Sequence, residues 1–101
     1  MSRDFTSIKA PKFFTPNNDS YYDTWKPIGL SRDLHSDVTI RVFDRYGKVL
    51  ADLKPFGDGW NGLYIGKKMK QDDYWYRLEY TETFSGVRRQ LRGHFSLVRT
   101  K

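Results

Sequence analysis

The 101-residue chain contains no cysteine. That excludes disulfide cross-links, thiolate catalysis and sulfur-ligated metal sites, and it says nothing about the redox compartment. No stretch approaches the roughly 18 apolar residues of a membrane-spanning helix, and the first twenty residues lack the apolar run of a signal peptide. If the domain is exported, the export signal is expected elsewhere in a longer parent. Nor is there a segment with helix-length apolar periodicity. Acidic residues are outnumbered, 12 against 18 basic, for a formal net charge of +6.

Aromatic residues, in contrast, make up 17% of the chain, with seven Tyr, seven Phe and three Trp, so ring area must supply much of any core. Large flat side chains suit pleated sheets better than helices. A single domain of this length removes roughly two thirds of its unfolded surface from water, enough for a real core. The basic excess is concentrated at one end: Arg88, Arg89, Arg92, Arg99 and Lys101 fall after residue 86 with no acid among them. The bland reading is a solvated face; the functional one is an acidic partner.

Residues 1–9 show no sustained periodicity and read as a linker or an appended start, with the domain proper over 10–101. Residues 10–16 are bounded by prolines that favour extended backbone and fit a short edge strand. A polar turn rich in Asn and Asp covers 17–23, a second short strand is expected over 24–30, and a loop over 31–37. From Val38 the alternation is clean: Val38, Ile40 and Val42 share one face, Thr39 and Arg41 the other. Gly47 closes a turn that starts at Asp44, and residues 48–53 return as the partner strand. After a Gly/Pro-punctuated stretch and a polar loop through Asp73, the strongest strand spans 74–83, with Tyr74, Tyr76, Leu78 and Tyr80 on one face. The last strand, 87–98, is expected to place Val87, Leu91, Phe95 and Leu97 inward, with Gly93 where a neighbour approaches closely. Arg88, Gln90, Arg92, His94 and Ser96 then face outward. This pattern predicts an all-β fold, a small antiparallel immunoglobulin-like β-sandwich of six to eight short strands.

Catalytic chemistry finds few footholds. His35, beside Asp33 and Asp37, is expected to be a solvated loop residue rather than a ligand, and His94 lies among arginines, which suits neither a metal nor a base. Asn17, Asp19 and Asp23 are oxygen ligands at short spacing, a weak Ca²⁺ candidate. Ser20 stands where an EF-hand turn needs Gly and no Glu closes the loop, so an Asx-rich turn is the preferred explanation. Asp72 and Asp73 open a strand. The glycines at 57, 59, 62 and 66 precede no helix that could bind phosphate. No cofactor is expected.

Six ordered motifs remain: Phe14-Thr-Pro-Asn-Asn-Asp19; Asp23-Thr-Trp25 with Ile28-Gly-Leu30; Ile40-Arg-Val-Phe-Asp-Arg-Tyr-Gly47; Gly59-Trp-Asn-Gly62; Asp73-Tyr-Trp-Tyr76; and Gly93-His-Phe-Ser-Leu97. In order and spacing, over about residues 13–99, they resemble the gliding-motility-associated C-terminal domain, the type B sorting domain of the type IX secretion system of Bacteroidetes. The residues carrying the resemblance are Phe14, Pro16, Asp19, Asp23, Trp25, Gly47, Trp60, Gly62, Tyr74, Gly93, Phe95 and Leu97. Ser20, Tyr22 and Asp72 depart from the family's usual Gly, Asn and Gly.

The resemblance implies a non-catalytic signal at the end of a larger surface protein such as an adhesin of gliding motility. It implies export through the periplasm to the cell surface or beyond, and partners among type IX outer-membrane proteins, including a β-barrel. Arg88, Arg92, His94, Arg99 and Lys101 are the candidate partner-binding residues. A carbohydrate-binding or adhesive sandwich is the competing reading. Nucleic-acid binding has only the sequence pI near 9.7 behind it and none of the motifs it requires.

Overall fold

A computed structural model of the chain describes residues 8–16 and 23–99. Among the described residues there are seven strands: β1 (Phe13–Phe14), β2 (His35–Phe43), β3 (Val49–Leu53), β4 (Leu63–Tyr64), β5 (Lys67–Lys68), β6 (Asp72–Glu82) and β7 (Arg88–Leu97). Five form one sheet in the order β1-β7-β6-β2-β3, so the most regular alternating segment of the sequence, β6, lies at its centre. Its neighbours β2 and β7 both run antiparallel to it, and β7 follows it through the short turn that ends in Gly86. β1 joins the far edge of β7 in parallel, pairing Phe13 with Ser96 and Phe14 with Leu97.

The second layer is thin. It consists of the β4–β5 hairpin and two antiparallel bridges, Lys9 with Ile28 and Trp25 with Trp60. The expected strand over 24–30 is therefore reduced to bridge contacts. Trp25 and Trp60 exchange two backbone hydrogen bonds of 2.8 Å. Gly59 permits that approach: its φ is +93° and a Cβ there would sit 2.5 Å from the Trp25 carbonyl oxygen. The result is a small β-sandwich with one full sheet and one abbreviated layer.

Its core is aromatic. The Phe95 ring stacks on Trp25 at 4.3 Å and 10°, and Phe14, Trp60 and Tyr74 surround it at 5.9, 6.1 and 6.4 Å. Offset and edge-on ring pairs favour this kind of cluster over face-to-face sandwiches. The polar handles are satisfied at its rim: Trp25 Nε1 donates to the Pro11 carbonyl, Trp60 Nε1 to that of Leu63, and Tyr74 Oη to that of Lys70. Ile40, Val42, Leu50, Leu78, Tyr80 and Leu97 complete the buried set. Tyr76 lies over Gly93, whose missing Cβ would stand 3.1 Å from that ring.

Three local expectations are corrected. His35 is not a solvated loop residue: it opens β2 and is only 3% exposed, because Thr83 N–H donates to Leu34 and carries the β2–β6 ladder to this point. Its Nδ1 accepts from Ser31 N–H, its ring meets Tyr80 edge-on, and Nε2 has no partner among the described residues. Asp33 and Asp37 face solvent. Val87 and Leu91 share the inner side of the sheet with Phe95 but are 44% and 37% exposed, since the thin second layer ends before it reaches them. The stretch read as a polar loop through Asp73 contains the β4–β5 hairpin and the start of β6.

Candidate partner-recognition face

The outer side of the five-stranded sheet carries the chain's polar alternation. Because β2, β6 and β7 are in register, residues far apart in sequence form rows across it. One row runs Asp52, Arg41, Arg77, Arg92; the next runs Val49, Phe43, Trp75, His94; a third brings Glu79 beside Gln90, and a fourth Thr81 beside Arg88. Like charges directly opposite one another in a sheet are destabilising, so three guanidinium groups in line need a reason. Arg41 is bonded to Asp52 at 3.1 Å. Arg77 lies 5.3 Å from the centre of the Phe43 ring, a cation–π contact. The Gln90 amide, oriented to satisfy both its ends, donates to Glu79 and accepts from Arg92 Nε. Among the described residues no carboxylate is paired with Arg77 or Arg92.

Beside this pair the surface dips into a depression of about 450 Å³ lined by Phe43, Arg45, Trp75, Arg77 and Arg92. Trp75 is 38% exposed, its ring 6.2 Å from that of His94. Arg45 grips Asp72 through two 3.0 Å contacts. The Asp72 carboxyl is held below its ordinary value, first by the Asp73 N–H and then by Arg45, with partial desolvation working against both. Asp72 thus ties the start of β6 to the turn after β2.

The five basic residues singled out from sequence separate in space. Arg92 and His94 lie on the open outer face. Arg88 shares that face but is engaged: its guanidinium donates to the Asp37 carbonyl at 2.8 Å and Thr81 Oγ1 at 3.1 Å, with Glu79 at 3.8 Å. Arg99 falls on the opposite side, donating to the carbonyls of Met69 and Gly62 and fixing the β4–β5 hairpin against the sheet end. Lys101 lies outside the described residues, as do Asn17 and Asp19 of the calcium candidate. Asp23 is half-buried beside Pro16 at the rim of a shallow depression. Among the described residues no group of three or more His, Asp or Glu side chains is placed to hold a metal.

Phe43, Trp75 and Arg77 were not singled out in advance. Their outward direction was available from the alternation of β2 and β6, but the register that sets Arg77 against Arg92 is a long-range property.

A second electrostatic cluster lies at the other end of β6. Glu82 is buried, accepts from Ser85 Oγ at 2.6 Å and from Arg89 at 3.1 Å, and its carboxyl is held below its ordinary value by the Ser85 hydroxyl first and Arg89 second.

The family model described as the CHU_C type IX secretion signal domain matches residues 8–95. The chain belongs to this family. A type IX secretion signal domain is the part of a larger cargo that addresses it to the secretion system, and this domain is a secretion-targeting signal of that kind. Export to the cell surface or extracellular space follows from membership. Among the described residues no helix is long and apolar enough to cross a membrane.

Among solved structures the fold resembles PorZ, a bacterial surface component of the type IX secretion system of Porphyromonas gingivalis. The TM-score is 0.54 and the identity 18%, over 91% of this chain and 11% of PorZ. At that identity the likeness is one of fold, and the present chain spans about a tenth of the PorZ chain. No curated protein matches the sequence.

Proposed function

We propose that the type IX machinery reads this domain as a folded unit through the outer face of its sheet, with Arg77, Arg92 and His94 as the contact residues and Arg88 holding the face in shape. The observation that carries the reading is the guanidinium pair Arg77–Arg92, which has no carboxylate partner among the described residues, beside the exposed Trp75 ring. Surface arginines contribute less than about 1 kcal/mol to stability, yet a concentrated positive patch raises association rates by orders of magnitude. The partner is an outer-membrane component, of the β-barrel type, that presents acidic groups. PorZ's place at the surface of a type IX system supports a role for this fold there. The domain acts without catalysis or a cofactor, as the family of secretion signals implies, and nucleic acid is no part of its work.

The folded unit begins by Ile8, since Ile8 packs on the core and Lys9 is bonded to Ile28. Residues 1–7 of the stretch expected as a linker or appended start lie outside the described residues.

The test is charge reversal. Arg92→Glu with His94→Glu leaves the melting temperature almost unchanged and sharply reduces delivery of a fused reporter to the cell surface. Lys67→Glu with Lys68→Glu, on the β5 hairpin, leaves delivery intact. Normal export by both double variants would move recognition away from this face.

A further inference from the structure

The outer face does not end at side chains, because β7 is only partly covered along its far edge. β1 reaches Ser96 and Leu97 and no further; upstream of it the chain turns onto the inner layer, where the Pro11 carbonyl accepts the Trp25 indole and Lys9 pairs with Ile28. Ser96 and Val98 donate their N–H groups to Lys12 and Phe14 across that edge. Since backbone direction alternates with period two, the N–H and C=O groups of Arg88, Gln90, Arg92 and His94 point to the same edge. Among the described residues nothing pairs with them there. The open stretch is about 20 Å long at the usual rise per residue.

We infer that this edge of β7 accepts an extended strand from an acidic partner, one whose side chains alternate between carboxylates and apolar groups. The inference rests on the proposed recognition role of the outer face and names the form the recognised partner takes. Two chemistries, one on each side of the edge, dictate the alternation. On the outer side an added strand runs beside Arg88, Gln90, Arg92 and His94, where an acidic side chain meets the Arg92 guanidinium, which has no carboxylate partner among the described residues. On the inner side it runs beside Val87, Arg89 and Leu91: Arg89 is already paired with Glu82, and the two large apolar residues are left 44% and 37% exposed where the second layer stops. Leu91 already sits against the buried Leu78 on its other flank. Apolar groups on an added strand would continue that packing outward.

The same charges argue against a second copy of this chain. Pairing β7 with itself would set Arg88, Gln90, Arg92 and His94 against an identical basic row, and such edge charges are the usual device that prevents edge-to-edge association. Strand addition to an open edge takes its affinity from main-chain hydrogen bonds and its specificity from alternate side chains.

The test uses a short capped peptide alternating glutamate with valine, added to the 101-residue chain and followed by amide NMR and hydrogen exchange. Binding protects the N–H groups of Gln90 and Arg92, and a peptide of the same composition with its glutamates in one block binds far more weakly. Gln90→Pro removes an N–H that faces the open edge, at a position where edge strands tolerate proline. It weakens binding by about tenfold, the scale of one lost backbone hydrogen bond. Should that variant fold poorly, Arg92→Glu serves instead: it shifts preference to the peptide in which lysine replaces glutamate.

Equal binding of the block peptide, or no protection at Gln90 and Arg92, would overturn strand addition. Dimerisation without peptide would give the edge to a second copy, and binding that appears only after removal of residues 1–7 would give it to the chain's own start; either outcome overturns the partner strand. Loss of export on charge reversal without peptide binding would sink only strand addition, whereas peptide binding with normal export would sink only the recognition role.

Discussion

Replacing Phe95 by alanine removes the ring on which the aromatic core is centred. Phe95 is 1% exposed, stacks on Trp25 at 4.3 Å, and has Phe14, Trp60 and Tyr74 around it. Burial of about 200 Å² of ring surface at about 25 cal/mol per Å² gives about 5 kcal/mol as an upper estimate. Measured Phe→Ala changes in cores, about 3–5 kcal/mol, agree with it. A domain of this size has about 5–15 kcal/mol in total, so the variant retains little or no stability at the low end of that range. For a folded variant the melting temperature falls by roughly 12–40 °C, taking about 4–8 °C per kcal/mol. Urea denaturation followed by tryptophan fluorescence reads the loss directly, because Trp25 is the stacking partner. A loss below about 1 kcal/mol would refute the placement of Phe95 at the centre of the core.

Other perturbations test separate parts of the account. Gly47 and Gly59 both have positive φ, but a Cβ at Gly47 enters open space while one at Gly59 strikes the Trp25 carbonyl. Gly47→Ala therefore costs about 1 kcal/mol in backbone strain, and Gly59→Ala about 2 kcal/mol more through loss of the Trp25–Trp60 bonds; equal melting temperatures would contradict this. Glu82→Gln reports on pH: a carboxyl held below its ordinary value stabilises the fold above its unfolded pKa of about 4.3 and loses that contribution as pH falls through its native value. Wild type is accordingly more stable than Glu82→Gln at neutral pH, and the gap narrows below about pH 4; a gap independent of pH would count against the Ser85 and Arg89 contacts. Calorimetric titration with Ca²⁺ gives no heat tighter than the millimolar range, given the poor match of Asn17, Asp19 and Asp23 to a calcium loop, and a micromolar site abolished by Asp23→Ala would reverse that reading.

What could be read from the sequence was local. The alternation of β2 and β6 announced both faces of the sheet, and Gly47 marked the turn between β2 and β3, since period and turn chemistry are written in adjacent residues. The two buried tryptophans and Phe95 stood inside the motifs that resemble the family.

What could not be read depended on distant segments. His35 was expected in solvent because its neighbours Asp33 and Asp37 are polar, yet the β2–β6 ladder draws it under Tyr80. The alternation of β7 gave Val87 and Leu91 the correct side but could not reveal that the second layer ends before covering them. Arg99 has the charge of a surface residue, but it is spent on carbonyls of the β4–β5 hairpin. The parallel docking of a two-residue β1, and the row that sets Arg77 against Arg92, follow from register, which no local pattern encodes.

The most direct test of the central claim is the location of a passenger. A reporter that reaches the periplasm by its own export signal is fused to this domain and produced in two otherwise identical bacteria, one with a working type IX secretion system and one without. The account predicts reporter at the cell surface or in the medium of the first and retained in the periplasm of the second. Retention in both, or surface delivery in both, would contradict it.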